Sequence, residues 1–197
     1  MNYSASITKE EITSLPVEQF QGQTVVVDSQ EAVREAISFL ATFDYVGFDT
    51  ETRPNFSKNQ HHIIALIQLS TLERCYLFRL NKLGGIPKQL EEFLKNGKTV
   101  KVGLSLLDDF HNIRKLMDFK PFNFIDLQKI VPSFGIREAS LQKIYAILFG
   151  KKISKRMRLS NWEAAELTEA QKLYAALDAW ACLRIYQKLN CTPQIKP

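Results

Sequence analysis

The stretch Tyr45-Val46-Gly47-Phe48-Asp49-Thr50-Glu51-Thr52 constrains the fold of this chain more than any other. Its apolar part, with aromatic and β-branched residues, is typical of a strand that is buried on both faces. Two carboxylates follow at a spacing of two, so Asp49 and Glu51 point to the same side of the strand. Burying an unpaired carboxylate costs several kcal/mol of folding free energy. The pair therefore indicates either solvated acids in a turn or a cation site.

The composition is that of an ordinary globular protein. The chain has 197 residues, of which 45% are hydrophobic and 24% charged, enough for one domain with a full core. We expect one domain over 1–197, with a core at about 23–190 and an N-terminal extension at 1–22. No apolar run approaches the roughly 20 residues of a membrane span. Three cysteines without paired spacing indicate neither a disulfide framework nor a zinc site, which fits a cytoplasmic protein.

The hydrophobic periodicity predicts an α/β fold. Three consecutive strands with short links are most simply an antiparallel meander, and a parallel strand joins them in a mixed sheet flanked by helices. The predicted strands lie at 24–27, 45–49, 63–70, 74–80 and 98–104. The predicted helices lie at 29–41, 90–96, 105–118, 126–132, 140–149 and 168–190.

A second pair of acids follows the strand predicted at 98–104. Ser105 and Asp108 have the spacing of an acidic capping box, with Ser105 as the N-cap. A helical wheel with about 100° per residue places Asp109 about 70° from the apolar stripe and Asp108 about 170° from it. Asp109 is therefore the favoured functional acid and Asp108 the alternative. The apolar stripe consists of Leu106, Phe110, Ile113 and Met117.

A tyrosine and an aspartate lie one turn apart on the last predicted helix. Thr168 and Gln171 form a capping box at its start, and the apolar residues Leu173, Leu177, Ala181 and Ile185 predict its buried stripe. Tyr174 and Asp178, at i and i+4, lie one above the other on its flank. The alanines around them allow another element to approach the backbone closely.

A basic loop precedes this helix. Five cations lie within nine residues: Lys151, Lys152, Lys155, Arg156 and Arg158. Such a run is either a solvated face or a set of phosphate contacts, and the net charge of +5 is compatible with a polyanionic partner. Trp162 is expected to pack in the core, with stacking on a base as the alternative. We include it with the five cations as candidate nucleic-acid-binding residues.

Three motifs stand out in the sequence: Phe48-Asp49-Thr50-Glu51, Gly103 to Asp109, and Tyr174-Ala-Ala-Leu-Asp178. Together they resemble the motifs of the DEDD exonucleases in the tyrosine (DEDDy) branch. Ribonuclease D and the Werner-type exonuclease domain belong to that branch. The intervening blocks at 64–70, 75–78 and 159–174 are similar to that family as well. The resemblance covers roughly 23–190, in the family's order and spacing.

The resemblance implies a ribonuclease-H-like fold and hydrolysis of nucleic acid from a free 3′ end to 5′-mononucleotides, with two divalent cations and no organic cofactor. It also implies that Asp49 bridges both cations, that Glu51 and Asp178 hold the cation that carries the attacking water, and that Asp109 serves the other cation. Tyr174 would orient and help deprotonate the water. Because all the ligands are oxygens, Mg²⁺ or Mn²⁺ is favoured over zinc.

Two alternatives belong to other classes. Asp49-Thr50-Glu51-Thr52 is similar to the D-x-D-x-T of haloacid-dehalogenase-type phosphatases, but Glu51 replaces the second aspartate, and the Asp108-Asp109 pair opens a helix. A nucleic-acid-binding module without catalysis would usually have lost an acid, whereas here all four acids and the tyrosine are present. No motif encodes contacts to a 2′-hydroxyl, so both DNA and RNA are candidate substrates.

Overall fold

A mixed sheet organises the computed structural model, which describes residues 3–57 and 61–190. Its six strands lie in the order β1-β4-β3-β2-β5-β6. Their bounds are β1 Gln23–Val27, β2 Tyr45–Thr52, β3 Ile64–Ser70, β4 Arg74–Arg79, β5 Val100–Gly103 and β6 Phe124–Asp126.

The predicted meander is confirmed, because β3 pairs antiparallel with both β2 and β4. The predicted parallel strand is confirmed as well, since β5 runs parallel to β2. Two more parallel pairs extend the sheet, β1 with β4 and β6 with β5. The short strand β6 was not predicted from the sequence. The helix predicted over 126–132 is confirmed, because a helix begins at Leu127 directly after β6 and continues as a 3-10 turn from Val131.

Helices cover both faces of the sheet. They are α1 Lys9–Ser14, α2 Gln30–Leu40, α3 Leu80–Leu83, α4 Lys88–Asn96, α5 Leu106–Ile113, α6 Leu127–Ile130, α7 Leu141–Phe149 and α8 Glu169–Asn190, with a 3-10 turn at Val131–Phe134. One core forms where α7 and α8 meet the sheet, and the other forms beneath α2, α4 and α5. Helix α5 ends earlier than the predicted residue 118. No helix in the described ranges is long and apolar enough to cross a membrane.

Helix α8 is buried on nearly all sides. Its capping box is present, because the backbone N–H of Gln171 donates to Thr168 Oγ1 at 3.3 Å and that of Thr168 donates to Gln171 Oε1 at 3.0 Å. The predicted apolar stripe was wrong at Leu173, which is 45% exposed. The stripe was also too narrow, because the alanines beside it are buried against the sheet.

The segment before β1 packs against the rest of the fold. Phe20 is buried and meets Trp180 edge-on, with ring centroids 5.9 Å apart. Val17 bridges to Lys152 in a parallel backbone pair. A capping box begins α1, with the Thr8 and Glu11 side chains each accepting the other's backbone N–H.

A buried lysine in β5 has no carboxylate partner among the residues that the structure describes. Lys101 Nζ donates to the Phe93 carbonyl at 3.2 Å and lies 4.9 Å from the centre of the Phe124 ring. Burial lowers the pKa of Lys101 from 10.5 to about 8. Below pH 8 the amine is charged in both the native and the unfolded state, so the native state bears the full cost of a buried charge. That cost disappears between pH 8 and 10.5, as the native amine loses its proton before the unfolded one.

Lys101→Met should therefore be more stable than the wild type at pH 7, by on the order of 1 kcal/mol or more. The advantage should shrink as the pH rises from 8 to 10.5. Urea unfolding of both proteins across this range measures it, with the exposed Lys98→Met as the control that shows no such trend. A constant difference across the range would contradict the buried-charge explanation.

Candidate active site

The site forms where α8 crosses β2. Asp49 and Glu51 extend toward α8, on the same side of the strand as Gly47. A methyl group at Gly47 would overlap the backbone carbonyl oxygen of Ala179, so the helix lies directly on the strand at this point. The close approach that the alanines predicted is present, and it places Asp178 beside the two acids of β2.

Three carboxylates converge here. One oxygen each from Asp49, Glu51 and Asp178 lies within 4.8 Å of the others, a grouping that can hold a metal ion. Within the described ranges, Asp178 Oδ1 is buried and has no hydrogen-bond partner. A buried carboxylate oxygen that has no donor requires a cation or a proton. The all-oxygen donor set therefore fits a hard divalent cation such as Mg²⁺ or Mn²⁺.

Burial raises the pKa of every acid in this cluster, and repulsion by neighbouring acids adds to the rise at Asp49 and Glu51. Burial, followed by the charges of Asp178, Asp109 and Glu51, raises the pKa of Asp49 well above its ordinary value. Burial raises the pKa of Glu51 to about 9, with Asp178 adding to the rise and Arg158 opposing it. Burial also raises the pKa of Asp178 to about 7, against the opposing effects of the Tyr174 hydroxyl and Lys155. The cluster therefore resists carrying its full negative charge without a cation.

The fourth acid reaches the cluster from α5. Asp109 is half-buried and accepts a hydrogen bond from Thr50 Oγ1, whereas Asp108 is exposed, as the helical wheel predicted. Burial raises the pKa of Asp109 to about 6, and its charge raises the pKa of both Asp49 and Glu51. Asp109 is not part of the group within 4.8 Å. Thr50, which orients it, was not predicted as a site residue.

The predicted cap of α5 was wrong. Ser105 lies in the left-handed region, with φ 61°, and its side chain makes no capping hydrogen bond. Asp126 at the end of β6 takes that role, because its carboxylate accepts the N–H groups of Ser105 and Leu106 at 3.0 and 3.1 Å. Asp126 also accepts the N–H of Gln128 at 3.0 Å, so one carboxylate caps both α5 and α6.

Tyr174 lies one turn before Asp178, with its ring 6.0 Å from that of Trp162 and tilted by 33°. Burial and the charges of Asp178 and Glu51 raise the pKa of the Tyr174 hydroxyl far above its ordinary value, so the phenol keeps its proton. Trp162 is fully buried, which agrees with the predicted packing role. A base cannot stack on a fully buried ring, so the nucleic-acid contact predicted for Trp162 is wrong in this structure. Trp162 instead packs near Tyr174 and supports its ring.

The basic loop divides into two parts. Lys151 Nζ pairs with Glu18 at 3.0 Å, and Lys152 Nζ donates to the Thr13 carbonyl, so both bind the N-terminal segment. Lys155 and Arg158 instead act on the acids, because they lower the pKa of Asp178 and Glu51 respectively. Arg156 lines a cleft of about 380 Å³ that also borders Tyr174. The three later cations therefore lie near the site.

A second set of contacts joins the loop after β2 to the segment before α8. Glu163 accepts from Arg53 Nη1 at 3.3 Å and pairs with His62 Nδ1 at 2.9 Å. The Asn81 side chain donates to the Glu163 carbonyl at 3.2 Å. These contacts fix the segment that carries Trp162, the residue on which Tyr174 packs.

Known proteins are similar to this chain in sequence. A family model described as 3′-5′ exonuclease matches residues 24–192. The chain is 36% identical over 188 residues to the bifunctional 3′-5′ exonuclease/ATP-dependent helicase WRN of Mus musculus, covering 90% of this chain and 13% of that protein. It is 32% identical to exonuclease 3′-5′ domain-containing protein 2 of Drosophila melanogaster, covering 82% of this chain and 28% of that protein. The chain thus spans less than a third of the length of these two relatives.

Solved structures agree on the fold. The Nibbler EXO domain of Aedes aegypti superposes with a TM-score of 0.75 at 22% identity, covering 88% of this chain and 91% of that one. Ribonuclease D of Escherichia coli superposes with a TM-score of 0.74 at 23% identity, covering 86% of this chain and 44% of that one. At these identities the likeness establishes the ribonuclease-H-like fold.

The crowding of charge predicts the effect of Asp178→Asn. Without metal, the variant should melt higher than the wild type, by about 2–4 °C for each kcal/mol of repulsion removed. Mn²⁺ at a hundredfold excess over its dissociation constant should stabilise the wild type by about 2.7 kcal/mol and the variant far less. Thermal melts in EDTA and in Mn²⁺ measure both effects. The exposed Asp108→Asn serves as the control, and equal stabilisation of wild type and Asp178→Asn by Mn²⁺ would refute the assignment.

Proposed function

This chain belongs to the 3′-5′ exonuclease family, in its DEDDy branch, and we propose that it removes nucleotides from the free 3′ end of a DNA or RNA strand as 5′-mononucleotides. The observation that carries the proposal is the convergence of Asp49, Glu51 and Asp178 within 4.8 Å, with Tyr174 one turn from Asp178. In this proposal the described residues act as one catalytic unit, including the segment before β1 that packs on α8.

The acids would hold two divalent cations, Mg²⁺ or Mn²⁺. Asp49 would contribute to both positions, Glu51 and Asp178 to one of them, and Asp109 to the other. Bound there, such cations supply charge neutralisation and Lewis acidity at the attacking and leaving oxygens of a phosphodiester. Thr50 supports this arrangement, because its hydroxyl hydrogen bond fixes the Asp109 carboxylate on the α5 side of the cluster.

Tyr174 would orient the water that attacks the scissile phosphate. Its ring is held by packing against Trp162, and its hydroxyl lies beside the Asp178 carboxylate. Because the raised pKa keeps the phenol protonated, the residue is suited to fixing the water by a hydrogen bond and less suited to removing its proton. The rigid placement would contribute through orientation.

Lys155, Arg156 and Arg158 would hold the strand. They are exposed, they follow one another along the loop beside the acids, and Arg156 borders the cleft next to Tyr174. Their charges would bind the phosphates that precede the scissile one, since phosphate contacts position a strand without reading its sequence. Lys151 and Lys152 would contribute less, because the N-terminal segment already occupies their amines.

Trimming of 5′-labelled oligonucleotides tests the proposal. With Mg²⁺ or Mn²⁺, the wild type should give a ladder that shortens from the 3′ end, in matched DNA and RNA strands. Asp49→Ala should abolish the ladder, and Tyr174→Phe should slow it by about 100-fold because the attacking water loses its orientation, while far-UV circular dichroism shows that each variant folds. Asp109→Ala should reduce trimming more than Asp108→Ala does. A wild type that binds the strands and never shortens them would refute the proposal.

The loop cations predict a difference in salt dependence. In the Asp49→Ala background, Lys155→Gln and Arg158→Gln should each weaken binding of a labelled single strand and lower the slope of log affinity against log salt by roughly 0.7. Lys151→Gln and Lys152→Gln are matched controls on the same loop and should leave the slope nearly unchanged. Fluorescence anisotropy over a KCl series measures these slopes. Equal slopes for the Lys155 and Arg158 variants and for the Lys151 and Lys152 variants would show that the two parts of the loop do not differ in phosphate contact.

A further inference from the structure

Gln68 in β3 is a buried polar side chain to which the site described above assigns no role. Every residue of β3 is buried, and Gln68 is 0% exposed. Across residues 3–57 and 61–190, neither its Oε1 nor its Nε2 has a hydrogen-bond partner. A buried polar group without a partner costs about 1–3 kcal/mol. Packing alone would therefore favour an apolar residue here.

The position of Gln68 points to a role. In the antiparallel pair of β2 and β3, Gln68 lies directly opposite Asp49. Residues that face each other in this way extend to the same side of the sheet, with Cβ atoms about 4.5–5.5 Å apart. The Gln68 amide therefore lies on the side of the sheet that holds Asp49, Glu51 and Asp178 beneath α8.

We propose that Gln68 is a positioning residue for Asp49, and that its side-chain amide donates a hydrogen bond to the Asp49 carboxylate when the acid cluster holds a divalent cation. This inference rests on the proposed function, because it assigns a cation to that cluster. An ionised carboxylate only accepts hydrogen bonds, and apart from the Thr50 backbone N–H, the groups that act on the Asp49 charge are the acids Asp178, Asp109 and Glu51, which repel it. The glutamine N–H is the donor that β3 supplies at this position.

The amide contact depends on the state of the site. The amide nitrogen can donate to an ionised carboxylate, so the contact forms when a bound cation keeps Asp49 ionised. Gln68 would then hold Asp49 in place, whereas in the structure its amide has no partner among the described residues. Residues that hydrogen-bond to a metal ligand and orient it typically contribute 10- to 100-fold to metal affinity.

Gln68→Met tests the inference, because methionine keeps the length and nearly the volume of the side chain and removes the polar atoms. Two opposite effects are expected. In EDTA, the variant should melt above the wild type, since an unpaired buried amide is gone. In isothermal titration calorimetry, it should bind Mn²⁺ about 10- to 100-fold more weakly than the wild type.

Thr24→Val is the matched control. Thr24 Oγ1 is also buried without a partner in the described part of the chain, but it lies in β1, which β4 and β3 separate from β2. This variant should also melt higher, yet bind Mn²⁺ as the wild type does. If Gln68→Met fails to fold, Gln68→Asn, which keeps the amide and shortens the side chain by one methylene, should still show weakened Mn²⁺ binding.

The outcomes separate this inference from the proposed function. Unchanged Mn²⁺ affinity in a folded Gln68 variant would overturn the inference while leaving the exonuclease proposal intact. Weakened Mn²⁺ binding together with a wild type that never trims a strand would support the inference and refute the exonuclease proposal. A wild type that binds no Mn²⁺ would overturn both.

Discussion

The direct contact of α8 with β2 is the constraint on which the rest of the structure depends. Only a glycine at position 47 lets the Ala179 carbonyl lie against the strand, and the buried alanines at 175, 176 and 179 keep the helix close along its length. Side chains from these two elements consequently share a space too small for several unshielded charges. The raised pKa values of Asp49, Glu51 and Asp178 follow directly from this packing.

Helix α8 explains how the fold tolerates such a cluster. The helix is buried on nearly all sides and contributes to the core on one face of the sheet. The hydrophobic burial of a 22-residue helix provides stability that offsets the local repulsion. Lys155 and Arg158 lower the pKa values of Asp178 and Glu51 respectively, and so offset part of the remaining cost of burying these charges. The site is therefore tolerated because the element that creates the crowding also supplies much of the core.

The sequence predicted the elements whose signals are local. Periodicity gave the meander and the long last helix, the helical wheel distinguished Asp109 from Asp108, and the i, i+4 spacing placed Tyr174 beside Asp178. Two of the features that the sequence analysis missed involve partners distant in sequence. Asp126 caps α5 from 20 and 21 positions away, and Lys151 pairs with Glu18 across 133 positions. Neither partner could be identified from the residues around it, because the fold alone brings them together.

Gln68 is visible in the sequence as a polar residue in a predicted strand, but its role cannot be recognised there. Gln68 interrupts the apolar run of residues 64–69, which is typical of a buried strand, and a position at a solvent-facing edge would explain it equally well. The structure removes that explanation, because the side chain is fully buried and lies opposite Asp49. Both the carboxylates and Gln68 then destabilise the chain when no cation is present. Natural proteins retain such costs chiefly where a function requires them, so two independent costs at one point of the sheet are a stronger sign of a working site than either is alone.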